Sequence, residues 1–170
     1  IDKLGGQMLA AVLSMVAIVV SCFAVSVLSH AGSDETGGRT EAVLATATSR
    51  SRWLLAALLV AVVGSVWLLV VTGLTLWIGY ATAGGPPPGD LLTAAVGWSP
   101  AIWVVIGLAM VLLALRSSWA VFGWAWPVLF LTLTIVGELA GFPSWLTGLS
   151  PYSHVPPMPA EPWRWAPEIG

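Results

Sequence analysis

The sequence predicts an all-α integral membrane protein with four transmembrane helices, a charged amphipathic helix on the cytoplasmic side, and a Pro/Trp-rich extracellular cap that is partly re-entrant. Three observations predict it. Hydrophobic residues fill 58% of the 170 positions and charged residues 8%. A soluble domain carries about 25% charged residues, so polar side chains here are too few to cover a surface facing water. Mean hydropathy is +0.91, and uncharged runs recur at about 20 residues or more, the length at which a helix crosses a ~30 Å hydrocarbon layer. The charges fall between these runs and not at their midpoints. The same composition excludes a soluble enzyme, a nucleic-acid binder and a disordered tail, because six Lys and Arg against eight Asp and Glu leave no basic field for phosphates. The single cysteine, Cys22, excludes a disulfide framework or a thiolate metal cluster within the chain.

The first span is read at 7–30. It follows Ile1-Asp2-Lys3-Leu4, with no initiator Met, and is too long for the apolar region of a signal peptide; a segment of a longer polypeptide is expected. At 33–52 the composition switches to Asp34, Glu35, Arg39, Glu41, Arg50 and Arg52. Here Ser33 is the expected N-cap of a loop helix, with Asp34 and Glu35 in its first turn. Glu35 and Arg39 stand in the favourable acid-first i,i+4 order, and Gly37-Gly38 marks a bend. The second span, 53–83, is long enough to tilt, and its small residues Ala57, Ala61 and Gly64 mark a close helix contact. Gly84 to Asp90, rich in Pro and Gly, is a turn outside the hydrocarbon. The third span is 91–115, Arg116-Ser117-Ser118 is a short turn, and the fourth span is 119–137. Pro100 and Pro127 lie inside these last two spans, where kinks are expected.

The remainder, 138–170, holds too many prolines for a continuous helix, and Trp145, Trp163 and Trp165 suit an interfacial layer. Arg39, Arg50, Arg52 and Arg116 lie on one side of the predicted spans, against Lys3 and Arg164 on the other. Short Arg-bearing loops stay inside, so 33–52 is placed in the cytoplasm of a multi-pass inner-membrane protein.

Inside the spans the polar residues are hydroxyls: Ser14, Ser21, Ser26, Ser65, Thr72, Thr75, Thr132 and Thr134. A mid-bilayer charge costs at least ~2.5 kcal/mol and ion-coupled carriers usually keep one, so its absence disfavours a secondary transporter or an ion channel. An intramembrane hydrolase would need a base within reach of its partner, and Ser14 and His30 are separated by ~24 Å of helix rise. No catalytic, cofactor-binding or metal-ligating residue is assigned. Glu138, Pro151 and His154 are outer-gate candidates, although an interfacial carboxylate or a cap of the following turn is the simpler explanation of Glu138, and a surface loop histidine that of His154. Gly137 and Gly141 form a GxxxG that suits close helix packing. Most of the spans' tryptophans read as packing or lipid-facing residues. The sharper reading makes Trp67, Trp103, Trp124 and Trp126 a hydrophobic path for bulky amphipathic compounds, which bind by area burial.

Two stretches carry a family resemblance. Ser33-Asp34-Glu35-Thr36-Gly37-Gly38-Arg39-Thr40-Glu41-Ala42-Val43-Leu44-Ala45-Thr46, followed by Ser49-Arg50-Ser51-Arg52-Trp53, resembles the first cytoplasmic loop of actinobacterial ABC exporter permeases of the type-2, polyketide-antibiotic and multidrug branch. Gly137-Glu138-Leu139-Ala140-Gly141-Phe142-Pro143-Ser144-Trp145, then Leu149-Ser150-Pro151-Tyr152-Ser153-His154-Val155-Pro156, resembles the extracellular segment between that family's fifth and sixth helices. The order and spacing of the two matches agree across nearly the whole chain.

The resemblance implies six helices per half, of which this chain holds the second to fifth, and often two halves fused in one polypeptide. It implies that the loop helix is a coupling helix seated on an ATP-binding-cassette ATPase, with Glu35, Arg39, Glu41, Arg50 and Arg52 as contact candidates. ATP and Mg would then sit on that partner, since this chain has no G-x-x-x-x-G-K-[ST] stretch. The other implied partners are a second permease half, membrane lipids and a hydrophobic small-molecule substrate; nucleic acid is not among them. The expectation is a permease that exports hydrophobic or amphipathic antibiotics, drugs or lipid-like compounds. The rival reading is a non-transport membrane scaffold or assembly protein.

Overall fold

The computed structural model describes residues 3–37, 49–83, 91–140, 148 and 150–155, with the backbone alone for 3, 4, 134–140 and 154. Helix α1 (Lys3–Thr36) is followed by α2 (Arg50–Thr82), α3 (Leu91–Val96), α4 (Ser99–Leu115), a 3-10 segment (Ser117–Trp124), α5 (Ala125–Ala140) and a short 3-10 turn (Pro151–His154). Among the described residues there is no strand. Three stretches are long and apolar enough to cross a membrane: Gly5–Thr36, Arg50–Thr82, and Leu91–Leu115 taken across the α3–α4 break.

Periodicity explains which faces meet. On α1 the residues Leu13, Ala17, Val20, Ala24 and Leu28 are buried, one stripe at steps of three or four. They pack on Ile102, Val105, Ile106, Ala109 and Leu113 of α4. Helix α2 joins through a narrow seam of Ala61, Ser65, Leu69 and Gly73, one residue per turn. The approach to α1 beside this seam is tight: a Cβ on Gly64 would stand 2.8 Å from the Phe23 ring. Outside the seam α2 is open. It is 22% buried over its most apolar window, against 39% for each of the other two candidate spans. Span hydroxyls satisfy themselves on the preceding turn, as Ser14 on Ala11, Thr72 on Leu68, Thr75 on Val71 and Thr132 on Val128, which removes the cost of an unpaired donor in lipid.

The structure corrects three expectations. Ser33 is not an N-cap. Helix α1 runs on through it to Thr36, with Ser33 Oγ donating to the Ser29 carbonyl at 3.0 Å and Gly37 N–H to the Ser33 carbonyl at 2.9 Å. Asp34 and Glu35 therefore lie in the last turn, the end where the helix dipole disfavours acids. The third span is not a kinked helix but two helices. Gly97 and Trp98 form a turn, and Pro100 stands in the first turn of α4, where its missing N–H costs nothing. The fourth span, expected as one helix over 119–137, begins as the 3-10 segment, and Pro127 falls in the first turn of α5. The 3-10 segment lies hard against α1: a Cβ on Gly32 would be 2.5 Å from Ala120 Cβ and 2.7 Å from the Ser117 carbonyl oxygen. Small residues at this crossing leave backbones nearly in contact.

Candidate functional site

Every charged side chain that the structure describes stands at one end of the bundle: Asp34, Glu35, Arg50, Arg52 and Arg116. Arg50 organises that end. Its Nε donates to Glu35 Oε1 at 2.6 Å. Nη1 reaches the Ala114 carbonyl at 3.2 Å, and Nη2 reaches the Leu113 carbonyl at 3.4 Å and Ser117 Oγ at 3.3 Å. One guanidinium thus joins the end of α1, the start of α2, the last turn of α4 and the start of the 3-10 segment. It also supplies donors to carbonyls that a helix C-terminus leaves unpaired. Glu35 stands beyond the uncharged run of α1 that ends at His30, in the last turn of the Gly5–Thr36 stretch. Partial burial works against its carboxylate, but Arg50 and the Ser117 hydroxyl outweigh that and hold its carboxyl below the usual carboxylate range. The Arg50 pairing also explains why an acid is tolerated at the wrong end of a helix.

At mid-depth a second feature links distant parts of the chain. Tyr152, in the Pro151–His154 turn, is buried, and its hydroxyl lies 2.6 Å from Ser21 Oγ. Ser21 itself donates to the Ala17 carbonyl, so the Tyr152 hydroxyl is the donor in the shared bond. Ser21 lies ~22 Å of helix rise from the end of α1 at Thr36. Around the Tyr152 ring stand Trp98, at the α3–α4 break with centroids 6.3 Å apart, and Phe130 of α5, edge-on at 6.3 Å. Trp126 stacks on Phe130 at 6.0 Å.

The candidates read from sequence divide accordingly. Glu35 and Arg50 are brought together, Arg52 is exposed at the same end, and Arg39 and Glu41 lie outside the described residues. Trp67, Trp103 and Trp124 are exposed on the outside of the bundle, while Trp126 is half-buried in the aromatic group. Pro151 is half-buried beside Tyr152; Glu138 is in the last turn of α5 and His154 closes the 3-10 turn, both described by backbone alone. Sequence reasoning passed over Tyr152, Ser117 and the pairing of Ser21. The available signal was a lone tyrosine within a proline-rich stretch, opposite a span whose polar residues are few. Among the described residues no group of three His, Cys, Asp or Glu could hold a metal.

Comparison with known proteins shows the family. Residues 2–170 match the family described as "Multidrug efflux system permease Rv1217c, C-terminal domain". The chain is also 35% identical over 152 residues to the multidrug efflux system permease protein Rv1217c of Mycobacterium tuberculosis (strain ATCC 25618 / H37Rv), a match that covers 87% of this chain and 28% of that protein. This chain therefore spans under a third of the relative's length. With a family match running from the second residue to the last, the chain belongs to the Rv1217c C-terminal domain family of multidrug efflux permeases.

Proposed function

We propose that this chain is the membrane-spanning part of a permease in an ATP-driven exporter of the type-2 ABC class. It moves hydrophobic or amphipathic compounds, such as antibiotics, drugs or lipid-like molecules, outward across the cytoplasmic membrane. The observation that carries this reading is the placement of charge. All described charged side chains gather at one end, and the long apolar helices hold none at mid-depth among the described residues. A machine so built is driven from its polar end and not by ions buried in lipid. The family and the name of the relative support the same reading.

In this mechanism an ATP-binding-cassette ATPase, a separate subunit carrying ATP and Mg, contacts the segment that includes Arg39, Glu41 and Arg52. The Glu35–Arg50 pair passes its movement to α1, α2 and α4 at once, because Arg50 holds all three. The Ser117–Ala140 stretch makes the fourth crossing. The Pro151–His154 turn is the inner tip of a re-entrant extracellular cap, with Glu138, Pro151 and His154 around the outer gate. Trp126, whose indole N–H has no partner among the described residues, is the best placed of the four tryptophans to meet a substrate inside the protein, next to a second permease half.

The test uses the full-length permease co-purified with its ATPase and reconstituted in nanodiscs, with ATP hydrolysis measured against a panel of hydrophobic compounds. Compound-stimulated hydrolysis is expected. Replacing Arg39 and Glu41 together by Ala should abolish the stimulation while leaving basal hydrolysis in place. An ATPase that fails to co-purify, or stimulation unchanged in the double variant, would overturn the assignment.

A further inference from the structure

Two indole donors in the interior meet no acceptor among the described residues. One is the N–H of Trp98, a side chain 5% exposed at the α3–α4 break, and the other that of Trp126, half-buried at the start of α5. Both rings belong to one row, Trp98, Tyr152, Phe130 and Trp126, with centroid steps of 6.3, 6.3 and 6.0 Å. A buried donor without an acceptor costs free energy, most of all where no water reaches it. The row therefore favours any change that supplies an acceptor.

Tyr152 fills the middle of the row but does not serve it. Its hydroxyl is engaged with Ser21 Oγ at 2.6 Å, while its ring leans on Trp98 at 41° and meets Phe130 edge-on. A flat ring in the same place, with an acceptor oxygen at its edge, would keep these ring contacts and pair the Trp98 N–H. Ser21 would still donate to the Ala17 carbonyl, so this exchange strands no buried donor, whereas the seated tyrosine strands one. A ligand that binds the vacated socket shifts the turn outward by its preference for that state. The surroundings set its charge. The described charged side chains all stand at the polar end, ~22 Å of helix rise from Ser21. An ion in the socket would lose its hydration and find no counter-ion there.

We infer that the socket of Ser21, Trp98 and Phe130 binds a neutral aromatic ring carrying a carbonyl oxygen, and that Tyr152 is its tethered stand-in. Trp126, across Phe130, offers a second donor to a larger fused-ring ligand. This names the substrate class of the exporter proposed above and rests on that reading.

The experiment uses the full-length permease with its ATPase in nanodiscs, photolabelled with tritiated benzophenone. Fluorenone and fluorene compete with the label; they share a flat shape and differ in a carbonyl against a methylene. Their concentrations are taken per lipid, which corrects for unequal partition. Saturable labelling beside Ser21 and Trp98 is expected, with fluorenone the stronger competitor by roughly fivefold, the effect of one hydrogen bond. Trp98→Phe keeps an aromatic wall and removes the donor, so it should abolish that preference and leave fluorene unchanged. The unchanged fluorene value also shows that the socket is still folded. Tyr152→Phe weakens the stand-in by its hydroxyl and should tighten both competitors about threefold. Equal competition by the two compounds in the native protein overturns the inference, as does a preference that survives Trp98→Phe or competition unaltered by Tyr152→Phe. If Trp98→Phe does not fold, the native preference and the Tyr152→Phe response decide the matter. Ketone-selective binding with no effect of fluorenone on ATP hydrolysis would keep the site and remove the export reading. Stimulated hydrolysis without ketone selectivity would do the reverse.

Discussion

At the polar end, Arg50 spreads its donors over Glu35, two α4 carbonyls and Ser117 with its side chain 43% exposed. In the interior, the Tyr152 side chain makes one hydrogen bond among the described residues, to Ser21, from a site where it is 5% exposed, and packs against aromatic rings. Both side chains join segments far apart in sequence. Arg50 does so where water competes for each bond, so its strength lies in the number of partners and in charge. Tyr152 does so where packing supplies most of the stabilisation and one hydroxyl fixes the orientation. A coupling joint suits the first arrangement, because each of its bonds can be exchanged for water during a movement. The second behaves as a seated plug, which moves only when the whole ring leaves its socket.

The comparison breaks most decisively at Tyr152. Tyr152→Ala removes a buried aromatic ring and leaves a cavity beside Trp98 and Phe130, so a loss of about 3–5 kcal/mol is expected. Thermal unfolding of the protein in detergent or nanodiscs would read it as a large drop in midpoint. A small drop would mean that the turn is not seated on Ser21. The crossing at Gly32 comes next. Gly32→Ala forces a methyl onto the Ser117 carbonyl oxygen and Ala120, an overpacking cost of about 1–3 kcal/mol. The gain in helix propensity from Gly to Ala, about 1 kcal/mol, offsets part of that. A net destabilisation of up to about 2 kcal/mol is therefore expected, and a stabilised variant would show that the 3-10 segment can slide away.

These sites also show what was legible in the sequence. Hydropathy located the first three spans, and the small residues Ala57, Ala61 and Gly64 marked a close helix contact without naming its partner, because both signals are local. The boundary at Ser33 misled because Ser followed by two acids has the chemistry of a helix start. What decides otherwise is Arg50, fifteen residues away, which offsets the dipole at a helix end. The 3-10 segment was hidden because its cause is a close crossing with Gly32 on another helix. Tyr152 and Ser21 stand 131 residues apart, and no periodic pattern connects them. At the candidate site the sequence grouped the charges of one loop but could not divide them. Glu35 and Arg50 turn onto each other, while Arg52 stays exposed at the same end.

Arg50→Met sharpens the comparison from the exposed side. It keeps much of the side-chain volume and removes every donor, leaving Glu35 partly buried without its cation and two α4 carbonyls uncapped. Discounted for exposure, a loss of about 1–2 kcal/mol is expected. It should be smaller below the pH at which the native Glu35 titrates. The native carboxyl lies below its unfolded value, so its contribution is present above the unfolded pKa and is lost as pH falls through the folded one. Measuring the native-to-variant difference in unfolding midpoint at pH 7 and again well below pH 4 separates this from a packing defect, which would not depend on pH.

The smallest effect isolates the one hydroxyl contact at mid-depth. Tyr152→Phe keeps the ring, its socket and the edge-on contact with Phe130, and removes only the donor to Ser21. Ser21 retains its own bond to the Ala17 carbonyl, so no polar group is left wholly unsatisfied, and a loss of about 1 kcal/mol or less is expected, as for hydrogen bonds within membrane bundles. Ser21→Ala strands the tyrosine hydroxyl instead and should cost slightly more than Tyr152→Phe. In the double variant the two losses should fall short of additive by about 0.6 kcal/mol, the coupling of the pair. Additive losses would mean that Tyr152 is held by its rings alone, and the interior would then have packing where the polar end has hydrogen bonds.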